Sequence, residues 1–331
     1  MRGINHTHRW LLALIALTVY SGASYAINHT SKSIKGLAQA YGFVVQQDNS
    51  LTRIAKEFPD LAWGVESARS QFNSTFPHIK TKLEDQIKRA LGERGLQELV
   101  SKLSQIKESH GRLKITREIA SDLIEQVKAR AKGQIESPVL EYLLAVKYES
   151  NPVGEYLDGF RQRFQTDGTG KSQGIKLALQ APRSWVVEDG ERPHIVKKWV
   201  SENGTGTESI ILDIRDGQGF NPTKKEMEEI VRSSDLKEII PEGYSYVSSG
   251  YFTIEKRPGY WLQMTSLGER ADVHYFQHVL KYQFFFRGKA IGLLCSAMGH
   301  ASDRAVVDET FKRIRPLCQQ VINSFVLLQA Y

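Results

Sequence analysis

Cysteine is nearly absent, since Cys295 and Cys318 are the whole thiol inventory of the 331 residues. Two thiols with no nearby His pair cannot make a structural zinc site, which takes four ligands. Long apolar runs are missing as well, apart from Trp10 to Tyr20 (WLLALIALTVY). A membrane-spanning helix needs about twenty such residues, so this run is too short to span. The Gly-x-Ser-x-Gly pattern of acyl-transfer hydrolases does not occur. Ser104 to Lys107 and Ser234 to Lys237 match Ser-x-x-Lys, but without the companion Ser-Asp-Asn and Lys-Thr-Gly patterns that would give the match meaning. No stretch gathers charge of one sign. Lys and Arg are interleaved with Glu and Asp, as in KLEDQIKRALGER (82–94), which describes a solvated helix face rather than a nucleic-acid stripe. Nucleic acid is therefore not an expected partner.

What is present begins with an address. Arg2 and Arg9 make a basic start, the short apolar run follows, and Ser24 and Ala26 stand at the minus-three and minus-one positions of a cut after Ala26. Residues 1–26 read as a cleavable secretory signal, which predicts a periplasmic or secreted mature chain with no stable membrane insertion after cleavage. An uncleaved anchor would require a longer run. The formal charge is +7 before cleavage, and apolar and charged contents of 41% and 24% are those of a globular chain.

From Ser31 to about Phe164 the punctuation is helical. Asn49 and Ser50 are candidate caps, Pro59 a stop, Thr116 a cap and Gly133 a left-handed end, while Gly92 and Gly95 interrupt the stripe through 78–109. An all-helical domain is expected over 27–165. The small, polar stretch TDGTGKSQG reads as a linker at 166–174. Beyond it the period changes to two: strands are expected at 175–181, 195–201, 209–216, 245–256, 260–267, 275–286 and 290–298, with FRGK (286–289) as a tight hairpin. Asn221-Pro222 opens one helix and Asp303 a closing one. The second domain, 175–331, is thus an antiparallel sheet covered by helices, and the class is α+β.

That element order, with Pro182, Arg183, Ser184 and Trp185 forming a Pro-x-x-Trp just after the first strand, resembles the PsbP-like fold over about 174–328. The resemblance implies a binding or assembly module rather than an enzyme. The helical half resembles a segment of exported bacterial proteins, which implies no activity.

Three constellations invite chemistry. Gly168-Thr169-Gly170-Lys171-Ser172 matches the end of a phosphate-binding loop, but Gln165 stands where the first glycine must be and a helix is predicted where a strand is required. His274 and His278 have the spacing of the zinc-protease motif, with Tyr275 in place of its Glu; on a strand their side chains stand about 13 Å apart. No metal and no cofactor are expected. Residues 244–286 are rich in aromatics, most of them core in a sheet, and Tyr251, Tyr260 and Trp261 beside the glycines of GYW form a candidate contact patch. Cys295 alternates with Ile291, Leu293 and Ala297, and Cys318 lies in the stripe Phe311, Ile314, Cys318, Val321, Phe325. The two faces should meet, so a Cys295 to Cys318 disulfide is expected, the alternative being two buried reduced thiols. The reading is a non-enzymatic periplasmic binding or assembly protein whose partner is a protein or small ligand of the envelope. The alternative is an envelope hydrolase with a dispersed active site.

Overall fold

The computed structural model describes residues 31–111, 114–233, 235–270 and 272–330. The expected export signal at 1–26 lies outside the described residues. Two compact units meet in sequence at Ser150 and Asn151.

The first unit is helical: α1 (Ser31–Glu57), α2 (Ala62–Thr75), α3 (Ile79–Gly111), α4 (Arg117–Ala131) and α5 (Val139–Tyr148). The Thr116 hydroxyl accepts from the Ile119 N–H at the start of α4, and Gly133 takes a positive φ of 83° just after its end. Gly92 breaks the helical path of α3 at φ 73°, where the glycine pair forecasts a kink. Asn49 and Ser50 do not cap anything, because α1 runs through them. Its buried stripe, Leu37, Ala40, Tyr41, Val44, Gln47, Leu51 and Ile54, keeps helical spacing across the polar pair, and continuous burial outweighs a local cap. Among the described residues no helix is long and apolar enough to cross a membrane.

The second unit starts with α6 (Pro152–Leu157) and β1 (Arg161–Gln165). It continues with β2 (Leu177–Pro182), β3 (Val186–Asp189), β4 (Ile195–Val200), β5 (Glu208–Asp216), α7 (Lys224–Arg232) and α8 (Asp235–Glu238). Then come β6 (Tyr244–Ile254), β7 (Arg257–Arg270), β8 (Val273–Phe286), β9 (Lys289–His300), α9 (Arg304–Asn323) and β10 (Val326–Leu327). Seven strands form one antiparallel sheet in the order β3-β4-β5-β9-β8-β7-β6, and β1-β2-β10 form a smaller one. Helices α9 and α6 and the small sheet bury one face of the large sheet around Trp199, Leu293 and Phe311. Helices α7 and α8 cover the other, around Met227, Leu262 and Phe285. The α+β class stands, with both sheet faces buried.

The expected linker at 166–174 is a correction. Strand β1, read as the end of a helix, pairs along β2 from Arg161 opposite Pro182 to Gln165 opposite Ala178, so 166–174 is the connection inside a hairpin. It is tied down: Asp167 accepts from the backbone N–H and hydroxyl of Thr169, the Gly174 N–H donates to Gly168 O at 2.8 Å, and Lys171 Nζ donates to Gly190 O. The lysine of the phosphate-loop look-alike is thus engaged by the protein's own backbone.

The sulfurs of Cys295, on β9, and Cys318, on α9, lie at bonding distance, with Cα atoms 6.1 Å apart, the separation of a disulfide. Both residues are fully buried. Closing the 23-residue separation stabilises the fold by about 3 kcal/mol in the chain-entropy model. Reduction under native conditions should accordingly lower the urea midpoint without loss of the sheet signal. An unchanged midpoint would mean that the thiols are free in the mature protein.

Candidate functional site

In a sheet covered on both sides, alternate positions on each face should be apolar. On the α7/α8 face this rule breaks along one row. Asp213 of β5 stands opposite Gly292 of β9, Gly292 opposite Gln283 of β8, and Gln283 opposite Tyr260 of β7. Lys281 is two residues before Gln283 on the same face, and His194 reaches the row from the residue before β4. Asp213, Gln283 and Tyr260 are at most 1% exposed and Lys281 is 6% exposed.

Their bonding is incomplete. Asp213 Oδ2 accepts from Arg215 Nε at 2.9 Å, while Oδ1 is buried with no partner. That oxygen leans across Gly292, 2.0 Å from where a Cβ would stand, so only glycine lets the carboxylate lie there. Both amide atoms of Gln283 and His194 Nε2 are also buried without partners. An unmade hydrogen bond in such a place costs about 1–3 kcal/mol, so four in one neighbourhood need an explanation. With Asp213 committed to Arg215, Lys281 has no ion-pair partner among the described residues. Burial pushes its pKa down to about 8, although Asp213 pulls the other way. His194 is pushed down to about 4 by burial, with the charge of Arg215 acting in the same direction, and Tyr260 is pushed up by burial. The row therefore offers an ammonium, an amide with both ends open, a half-used carboxylate and a neutral imidazole.

A histidine whose folded pKa lies below the unfolded value of about 6.5 takes up its proton more readily when unfolded. Stability from that group is present above pH 6.5 and is lost as pH falls toward 4. The urea midpoint should drop between pH 7 and pH 4.5, and His194→Gln should flatten the drop. Equal pH slopes in the two proteins would remove His194 as the cause.

On the opposite face His278 is a satisfied histidine. Its Nδ1 lies 2.9 Å from Asp308 Oδ1 and its Nε2 2.8 Å from Gln263 Nε2, which fits a proton on Nδ1 and an amide donating to Nε2. The ring stacks on Phe311 at 3.8 Å. Burial lowers its pKa despite Asp308. His274 is exposed, with Glu269 at 3.6 Å. Among the described residues no three His, Cys, Asp or Glu side chains gather as a metal site.

The contact patch does not assemble. Tyr260 is buried on the α7/α8 face, Trp261 points to the α9 face, and Tyr251, opposite Tyr260, is half-buried. GYW is not the hairpin turn either, since the chain reverses at Glu255 and Lys256, both at positive φ. The glycines serve packing. A Cβ on Gly250 would meet Trp261 Nε1 at 2.6 Å, and one on Gly259 would meet Phe252 Cε1 at 2.6 Å.

No protein-family model and no curated protein matches the chain. Among solved structures it is similar to PsbP of a Synechocystis cyanobacterium, at 14% identity over 50% of this chain and 92% of that one, with a TM-score of 0.33. It is similar to the Ran-binding protein Mog1p of Saccharomyces cerevisiae, at 9% identity over 51% and 95%, TM-score 0.34. It is also similar to LpqN, involved in cell envelope biogenesis of Mycobacterium tuberculosis, at 11% identity over 54% and 97%, TM-score 0.29. The similarity covers about half of the chain, in line with the partial PsbP-like resemblance of 174–328, and bears on nothing beyond that.

Proposed function

We propose that the chain acts outside the cytoplasm, in the periplasm or as a secreted protein, as a non-enzymatic binding protein. Its sheet unit holds a small polar ligand beneath α7 and α8, and the helical unit serves as a spacer or second contact surface. The observation that carries the reading is the buried row of Asp213, Lys281 and Gln283 with its unmade hydrogen bonds, an arrangement that a bound polar molecule would complete. The signal at 1–26 and a cysteine pair at disulfide separation suit an oxidising compartment. Mature protein taken from its own envelope and measured by native mass spectrometry should carry a non-protein mass that Gln283→Leu removes. A bare mass in repeated preparations overturns the proposal.

The hydrolase reading has one observation in its favour, the His278 to Asp308 pair at 2.9 Å. Against it, Gln263 engages the nitrogen that a general base would use. Turnover of ester, amide or glycoside substrates that His278→Gln abolishes would establish it.

A further inference from the structure

The chemistry of the buried row narrows the ligand class, an inference that rests on the binding reading above. The charges come first. Asp213 and Arg215 neutralise one another at 2.9 Å, and the imidazole of His194 is neutral, which leaves the Lys281 ammonium as the uncompensated charge of the row. A buried charge without a counter-charge is among the costlier arrangements in a protein interior. An anion placed against Lys281 removes that cost. The open end of Gln283, its Nε2, is a second donor that such an anion can use, on the same strand and the same face two residues away.

The acceptors add a second requirement. Asp213 Oδ1, lying over Gly292, and Gln283 Oε1 are both buried and both lack a donor. An anion made only of acceptors, such as chloride or acetate, would satisfy Lys281 and leave these two oxygens as they are. A molecule with its own hydroxyl beside the negative group would satisfy Lys281 and, with its one proton, the Asp213 oxygen as well. The row also has one cationic group in excess rather than two, which suits a single negative charge. Gln283, fully buried, faces both requirements at once, since its amide has one donating and one accepting end.

We propose that the row beneath α7 and α8 binds a small monoanionic carboxylate that carries a neighbouring hydroxyl, with Lys281 and Gln283 Nε2 donating to the carboxylate and the hydroxyl donating its one proton to Asp213 Oδ1. Hydrogen bonds to charged groups are the strong ones, and their loss weakens binding by about tenfold or more. Lys281→Met and Gln283→Leu should therefore each weaken binding at least about tenfold. Lys312→Met, which removes an exposed lysine paired with Glu309 on α9, should leave it unchanged.

The test uses the full mature chain and three probes: glycolate, acetate and ethylene glycol. Binding is read from the thermal midpoint and from the amide resonance of Gly292. Glycolate should raise the midpoint and shift Gly292 in a saturable way, acetate should bind at least about tenfold more weakly, and ethylene glycol should do neither. Equal responses to glycolate and acetate overturn the hydroxyl requirement, and a response of Lys281→Met equal to that of the natural protein overturns the anion site. Should no probe shift Gly292, the ligand class is wrong, and the mass of envelope-derived protein then separates the cases. A bound non-protein mass keeps the binding reading and discards the hydroxycarboxylate. A bare mass, with ordered water against Gln283 and Asp213 at high resolution, discards both.

Discussion

A fragment beginning at Asn151 is expected to fold, whereas one beginning at Ile175 is expected to stay unfolded. The difference is α6 and β1, which the hairpin assigns to the sheet unit. Glu155 is 1% exposed, and its two carboxylate oxygens accept from the Ser184 N–H at 2.7 Å and the Ser184 hydroxyl at 2.6 Å. Gln162 donates to the carbonyls of Pro182 and Trp185. Tyr156 is buried in the core, and Phe164 meets Trp199 edge-on at 5.5 Å. The shorter fragment leaves all of these partners unpaired along a bared strand β2. At about 0.5–1.5 kcal/mol for each hydrogen bond lost, with the burial of Tyr156 and Phe164 adding about 1.5–3 kcal/mol for each ring, the sum reaches the 5–15 kcal/mol that holds a typical domain together. Circular dichroism and amide chemical-shift dispersion decide the matter. A cooperative unfolding transition in 175–331 would restore 166–174 as the boundary.

Replacing Lys281 should have the opposite sign. Burial holds its pKa at about 8, below the unfolded value of about 10.4. The folded chain therefore binds that proton less well than the unfolded chain, and the cost is complete below pH 8 and released as pH rises toward 10.4. A difference of about two pKa units corresponds to roughly 3 kcal/mol at pH 7. Lys281→Met, similar in length and without the charge, should stabilise the protein by up to that amount in denaturant titrations. It should also remove the gain in stability that the natural protein shows between pH 8 and pH 10. A destabilised Lys281→Met would mean that the ammonium has a structural partner.

Most of the fold was legible because strong period-two patterns in β5, β8 and β9 and the stripe of α9 are long. What misled was short or ambiguous. Phe160 and Phe164 are four residues apart, which mimics a helical face, so RQRFQ passed for the end of a helix. Strand β3 has only four residues. Asn221-Pro222 stands just before the true cap, Thr223, which forms a capping box with Glu226. The buried polar row was visible in the letters but not interpretable from them. In SIILDIRD and HVLKYQFFF, the Asp, Lys and Gln fall where an exposed face would put polar residues, and only the helices laid over that face show them to be buried. The aromatic patch failed for a related reason, because adjacent Tyr260 and Trp261 must point to opposite faces of a strand.

The two glycine-aromatic pairings across β6 and β7 have a consequence for how the sheet can go wrong. Gly250 faces Trp261 and Gly259 faces Phe252, one glycine and one ring on each strand. They work as two keys cut in opposite directions. Sliding β6 by one residue would carry both rings off their glycines, and sliding by two would press each against a side chain where no room exists. Strand β6 is the outer strand of the large sheet, the place where shifted pairings and chain-to-chain pairing usually begin. Its alignment is locked by shape, so a partly opened hairpin has one way to close.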